Sequence, residues 1–248
     1  MYNREGIQGH ILSFIDFSKA STFLDIGCGK GNDLIEISNR TCKEAKLYGV
    51  DVKANLIEFA KMQTEGDCRF TFNVYDVEDG LKFEDESIDV IISCNVLECI
   101  KNKSKLLHEI HRVLKPDGKI IMAHFDWDTQ IFNAFDKNLY RKLIHTYSDW
   151  QQPWMNDCDA WMGRRISGVF NETGLFSGNI FTYVVTESEY KEGFRGYSLI
   201  NEEFKALVEK GIIKNTEFEL FKDQIIQLEK TGHYFYSVNL YTYVGQKK

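Results

Sequence analysis

Apolar residues recur along this chain in two alternating periods. Thr22–Ile26, Lys46–Val50, Arg69–Val74, Ile88–Ser93 and Gly118–Phe125 are short runs rich in β-branched and aromatic residues, and they predict strands. Helical spacing lies between them, in Leu34, Ile35 and Ile37, in Ala54–Met62, and in Leu106, Leu107, Ile110, Val113 and Leu114. Ahead of the first strand, Ile7, Ile11, Phe14 and Ile15 share one face of a leading helix within residues 3–17. Strand and helix in alternation predict a parallel sheet covered on both sides. The stretch Lys115-Pro116-Asp117-Gly118 reads as a turn into the fifth strand. Past a helix stopped by Gly174, the pattern predicts a sixth strand at Asn179–Thr186, helices at Ile200–Lys210 and Thr216–Lys230, and a last strand at Tyr234–Val244.

The first strand stops at three glycines spaced two apart, Gly27, Gly29 and Gly31, with Asn32 and Asp33 able to cap the helix that follows. Glycine reaches positive φ without penalty and lets a ligand lie against the backbone, so a nucleotide-like molecule can dock there. The dinucleotide fingerprint is G-x-G-x-x-G, whereas this loop reads G-x-G-x-G. Asp25 precedes the loop, and a carboxylate suits an ammonium or a loop amide better than a pyrophosphate. Asp51 ends the second strand, where a carboxylate can accept both hydroxyls of a ribose or cap the next helix. Asp76 ends the third strand.

An acid followed by G-x-G-x-G at the end of the first strand resembles the class I S-adenosylmethionine-dependent methyltransferases. The phrase E-I-H-R-V-L-K-P-D-G-K-I around Glu109–Ile120 is similar to their small-molecule branch, the methyltransferase type 11 or UbiE-like proteins. That resemblance implies a Rossmann-like α/β fold: a seven-stranded, mostly parallel sheet in the order 3-2-1-4-5-7-6, with helices on both faces and a helical cap. It implies one domain over residues 1–248, with residues 1–20 as an N-terminal cap helix and 126–175 as a helical cap insertion. It also implies S-adenosylmethionine as cofactor, held by Asp25 and the loop residues Gly27, Cys28, Gly29 and Gly31, by Asp51 and Val52, and by Asp76 and Val77 at the adenine. The loop at Cys94 and Asn95 would pass under the sulfonium, and Tyr2, Arg4 or Gln8 of the leading helix would touch the cofactor's amino-acid end, Arg4 by pairing with its carboxylate. No N-P-P-Y tetrapeptide follows the fourth strand, which argues against amino-purine or glutamine N-methylation of the type that uses it.

Composition narrows the partners. A formal net charge of −7 over 248 residues gives no electrostatic footprint for nucleic acid. No apolar run approaches the ~20 residues of a membrane span, and the expectation is a soluble, cytoplasmic protein, monomer or homodimer. The six cysteines make no C-x-x-C pair and no zinc spacing, so no metal site is expected. Cys28 inside the loop reads as a small residue tolerated in a tight turn, since no base lies near it in sequence.

The chemistry is expected beyond the fifth strand. His124 stands at its carboxyl end and titrates near neutrality, which makes it the first candidate for a general base, with Asp126 and Asp128 next. Trp127 and Trp154 are the candidate substrate contacts. Acids and aromatics interleave through Tyr140, Tyr147, Trp150, Trp154, Asp157, Asp159 and Trp161, a composition that suits a cage for a cationic amine or the core of a helical cap. The reading is methyl transfer to a small molecule by in-line displacement, with an amine nitrogen preferred and an oxygen the near alternative. A nicotinamide-dependent oxidoreductase, disfavoured by Asn32, Asp25 and Asp76, and a non-catalytic S-adenosylmethionine binder are the readings from other classes.

Overall fold

The computed structural model describes residues 4–150 and 159–248, with the side chains of Arg4 and Glu5 excepted. One seven-stranded sheet runs through it in the order β3-β2-β1-β4-β5-β7-β6, as expected. The strands are β1 (Thr22–Ile26), β2 (Lys46–Asp51), β3 (Phe70–Val74), β4 (Ile88–Cys94), β5 (Leu114–Phe132), β6 (Phe176–Glu187) and β7 (Tyr236–Lys247). The first five pair in parallel, and β7 is antiparallel to both β5 and β6.

Alternation along the strands sends neighbouring side chains into two cores. Phe23, Leu47, Val90, Ile92 and Ile121 join one core with α1 (Arg4–Leu12), α2 (Asn32–Ser38), α3 (Ala54–Gln63), α5 (Lys137–Ser148) and α9 (Asn215–Lys230). Leu24, Ile26, Ile91, Ile120 and Met122 join the other with α4 (Lys103–Val113) and α6 (Met162–Thr173). Side chains with period two along a strand must divide in this way when both faces are covered. Between β6 and α9 the chain forms α7 (Arg195–Ser198), a π turn at Leu199–Phe204 and α8 (Lys205–Glu209), where a single helix is expected from sequence.

β5 departs most from expectation. The Lys-Pro-Asp-Gly turn is absorbed into it: Ile88 pairs with Leu114 and Val90 with Lys119, so the added residues bulge without ending the strand. A second irregularity separates Asp126, opposite Asn239, from Ile131, opposite Ser237. Residues 126–132, placed in the cap insertion from sequence, therefore continue β5, and Trp127–Gln130 form a bulge at its end. Polar contacts pin that bulge, with Ser148 Oγ and Gln130 Nε2 both donating to the Trp127 carbonyl and Tyr236 OH donating to Gln130 Oε1.

α6 lies directly on β5 because Gly163 has no side chain. A Cβ there would meet the Asp126 amide nitrogen and the His124 carbonyl oxygen, each at 2.9 Å. Alanine at this position is expected to lift the helix and cost about 2 kcal/mol. Urea unfolding checks this, and stability within a few tenths of a kcal/mol of wild type would contradict it.

Candidate functional site

The tips of β1, β2, β3 and β4 meet at the carboxyl edge of the sheet, where open α/β sheets bind ligands. The glycine loop is closed from beneath by β2: the amides of Gly27 and Cys28 both donate to the Val50 carbonyl, at 2.8 and 3.0 Å. Gly27, Gly29 and Gly31 all have positive φ. They differ in what surrounds them. A Cβ on Gly27 would overlap Val96, whereas one on Gly29 would meet nothing within 4 Å. Gly29 is thus the point where a ligand can lie against bare backbone. Gly31, expected at the cofactor, also packs: it lines neither compartment, and a Cβ there would stand 2.8 Å from the Phe72 ring.

Asp51 ties the loop to the next element. One carboxylate oxygen accepts from the Gly29 amide at 2.9 Å and the other from the Lys53 amide at 2.8 Å. Each oxygen retains a lone pair, so the carboxylate is oriented and still able to accept from a diol. Asp76 Oδ1 accepts from the Glu78 amide and caps the short turn Val77–Asp79. Asn95 adopts φ 57°, a left-handed conformation that asparagine tolerates better than most residues. Its side-chain oxygen accepts from the Phe125 amide at 2.9 Å and locks the end of β4 to β5.

Two compartments open on these residues. The larger, about 390 Å³, is bounded by Asp51, Val52, Tyr75, Asp76, Val77 and Glu98. The smaller, about 270 Å³, is bounded by Ile7 and Ile11 of α1 and by Asp25, Cys28, Asp33 and Phe125. Both share Gly27, Gly29, Cys94 and Asn95. Gln8 holds α1 over the smaller one, donating to Asp33 Oδ1 at 2.7 Å and to the Asn32 carbonyl at 3.1 Å. Cys28 is buried and its thiol is pushed well up, first by burial and then by the charges of Asp25, Asp51 and Asp33. That environment withholds the thiolate a nucleophile needs.

Glu98, unremarked in the sequence, faces the larger compartment with only 4% of its surface exposed. Trp127 Nε1 donates to its Oε2 at 3.2 Å, and His124 Nε2 stands 3.6 Å from the same oxygen. Burial pushes the carboxyl up to about 7, with Asp159 adding to the rise and the Trp127 hydrogen bond opposing it. His124 is wholly buried, and burial drives its pKa down to about 4.

A family model described as a methyltransferase domain matches residues 17–211. The chain belongs to this methyltransferase family. A sterol 4-C-methyltransferase of Caenorhabditis elegans is 34% identical over 141 residues, covering 55% of this chain and 40% of that protein. Demethylmenaquinone methyltransferase of Staphylococcus epidermidis is 26% identical over 178 residues, 67% of this chain and 72% of that one. Among solved structures, the Haemonchus contortus phosphoethanolamine N-methyltransferase 2 in complex with phosphomonomethylethanolamine and S-adenosylhomocysteine has a TM-score of 0.58. It is 19% identical, covering 97% of this chain and 52% of that one. The chain spans about half or less of the length of the first curated relatives it matches.

In this chain the other sequence candidates separate. Asp25, Gly27, Cys28, Gly29, Asp51, Val52, Asp76, Val77, Cys94 and Asn95 gather at the two compartments. Asp126 and Asp128 do not join them. Arg164 of α6 takes both oxygens of the fully buried Asp126 and reaches Asp128 at 3.4 Å, so these acids anchor α6 where catalysis was expected of them. His124 points into the protein and meets the cleft only through Glu98. Trp127, expected on the substrate, is packed between Phe125 and Tyr147 and likewise reaches the cleft through Glu98. Trp154 lies outside the described residues, as do Tyr2, Asp157 and the side chain of Arg4.

Among the described residues, several of these aromatics lie beside the protein's own cations. Arg195 lies 4.9 Å from the centre of the Trp127 ring, Arg164 and Arg165 lie 4.7 and 5.3 Å from Trp161, and Lys210 lies 6.0 Å from Trp150. Each described tryptophan therefore has at least one of the protein's own cations beside its ring. Among the described residues, no helix is long and apolar enough to cross a membrane.

Proposed function

We propose that this methyltransferase moves the methyl group of S-adenosylmethionine to the nitrogen of a small amine. What carries the reading is the cleft itself, in which a carboxylate oriented by loop amides, an open glycine and a buried acid face one continuous space. The residues fit that cofactor: Asp51 holds the ribose hydroxyls, Asp76 and Val77 flank the adenine, and Gly29 admits the methionine chain beyond the ribose. When bound, the cofactor supplies a methyl carbon already activated by a positive sulfur. The protein then has to align the acceptor and keep water away. Ile7, Ile11 and Phe125 supply apolar walls on the smaller side, and Gln8 keeps α1 in place above them.

The amine preference rests on Glu98, whose carboxylate attracts an ammonium at the cleft wall. A phosphoethanolamine N-methyltransferase of Caenorhabditis elegans, 30% identical over 46% of this chain, supports the same direction. Methyl-labelled cofactor offered with 2-aminoethyl phosphate, phenethylamine and catechol separates the acceptors. Label in the amines is expected, and label confined to catechol would transfer the reading to oxygen.

Cofactor retention has its own test. Replacing Asp51 with alanine removes a charged acceptor and frees the Gly29 amide, and is expected to weaken S-adenosylhomocysteine by about 30-fold. Calorimetric titration reads this directly; unchanged affinity would take the ribose away from Asp51.

A further inference from the structure

His124 and Glu98 are short of one hydrogen. The Nδ1 atom of His124 lies 2.7 Å from the Phe125 carbonyl oxygen, which can only accept, so the ring hydrogen is on Nδ1. Its Nε2 keeps a lone pair, wholly buried and without a hydrogen-bond partner, and 3.6 Å from Glu98 Oε2. A lone pair repels a carboxylate and attracts a carboxyl O–H. The pocket behind the cleft wall is thus built to receive a proton that arrives on Glu98.

We propose that Glu98 takes the proton that the acceptor nitrogen loses, and that His124 is the positioning residue whose Nε2 receives the resulting O–H. This rests on the amine reading above and names the group that serves it. The acceptor's N–H bond breaks, its electron pair stays on nitrogen, and the proton forms an O–H bond on Glu98. The freed pair forms the new N–C bond while the pair of the breaking S–C bond stays with sulfur. After product leaves, Glu98 returns the proton to water at the cleft.

The surroundings agree with that role. Asp159 disfavours a charge on Glu98, the Trp127 N–H favours it, and Lys103 at the start of α4 disfavours a charge on His124. Cys99 is held neutral by burial and by Glu98. Arg195 stands behind the Trp127 ring with its guanidinium matched by Glu203. A carboxyl titrating at about 7 is divided between its two forms at neutral pH, the state in which a group accepts and releases protons most readily.

Wild type, E98Q and H124Q are compared in three ways. The first is titration with S-adenosylhomocysteine. The second is transfer to 2-aminoethyl phosphate and phenethylamine from pH 6 to 9. The third is long-range 15N spectroscopy of labelled histidine. E98Q is expected to bind S-adenosylhomocysteine within about twofold of wild type, yet to transfer about 100-fold more slowly and without the rise in rate through neutrality. H124Q, whose amide can donate to ionised Glu98, keeps transfer and moves that rise down by about one pH unit. Wild-type rates and profile in E98Q, or an unmoved profile in H124Q, would overturn the proposal. Failure of wild type to bind S-adenosylhomocysteine would instead defeat the donor reading. If wild type methylates neither amine, the acceptor reading fails, and the spectroscopy decides the pair. A step in the His124 Nε2 shift near neutrality that E98Q lacks sustains it, and no step removes it.

Discussion

Arg164→Ala is expected to destabilise the protein by about 4 kcal/mol and lower its melting temperature by about 10 °C. Asp126 is fully buried on β5, and Arg164 satisfies both of its oxygens, Nη2 at 2.6 Å and Nε on the other side. Without the guanidinium, a charged carboxylate stays inside with nothing to balance it. The same change releases Asp128 and uncovers the Trp161 ring at the mouth of α6. Asp126→Asn is expected to cost less, because the guanidinium it leaves behind is partly exposed and can turn to water. Removing both partners is expected to recover part of the single loss, since no buried charge is then left over. Thermal melts of the three variants test this order. A melting temperature for the arginine variant within a degree or two of wild type would show that Asp126 is not held by this pair.

That ion pair also marks where reading the chain stops short of reading the site. The seven strands follow from local signals, apolar runs and turn residues, while their order is what the resemblance implies, carried by a glycine loop and an acid at each of three strand ends. These are short-range patterns, and short-range geometry determines them. Asp126 and Asp128 looked available because a sequence shows a carboxylate without its partner, and Arg164 lies a whole helix away. Gly31 looked like a cofactor contact because glycine spacing does not distinguish a residue facing a ligand from one facing Phe72. The cap tryptophans looked like a cage because composition counts aromatic faces and not the cations already on them. Glu98 was missed for a different reason. It sits in the apolar run Val96–Ile100, where a lone acid reads as solvent-facing, and its meaning depends on His124 and Trp127 brought beside it by the β4–β5 pairing and the bulge after Asp126.

The bulges in β5 have a common consequence. A regular strand of that length would carry Trp127 to one face and Asp128 to the other in strict alternation. The irregularity after Asp126 frees Trp127–Gln130 from that alternation, and Tyr140, Ser148 and Tyr236 then hold the looped residues by their polar atoms. Trp127 Nε1 is aimed at Glu98 as a result, so the bulge that ends β5 also sets the electrostatics of the cleft wall.

The stability of the folded protein is expected to carry the signature of Glu98 and His124 as two opposing slopes in pH. Glu98 titrates at about 7 when folded and near the ordinary carboxylate value when unfolded, so between about 4.5 and 7 the folded state holds a proton that the unfolded state has lost. Stability falls as pH rises through that window, by about 3 kcal/mol in full. His124 titrates at about 4 when folded and near 6.5 when unfolded, so there the unfolded state binds the extra proton. Its contribution is complete above about 6.5 and is lost as pH falls toward 4, again by about 3 kcal/mol. In wild type the two nearly cancel between about pH 4.5 and 6.5. Glu98→Gln removes the first slope, and its stability relative to wild type is expected to climb by about 3 kcal/mol from about pH 4.5 to 7. His124→Gln removes the second, and its stability relative to wild type is expected to decline over about pH 4 to 6 and to recover in part between about 6 and 7, where the lowered Glu98 titration shortens the first slope. Urea unfolding at half-unit steps resolves both, with groups common to all three proteins dropping out of the differences. Parallel curves for wild type and Glu98→Gln would mean that the carboxyl ionises normally in the folded protein, and the cleft wall would then hold a plain charge at neutral pH with no proton to exchange.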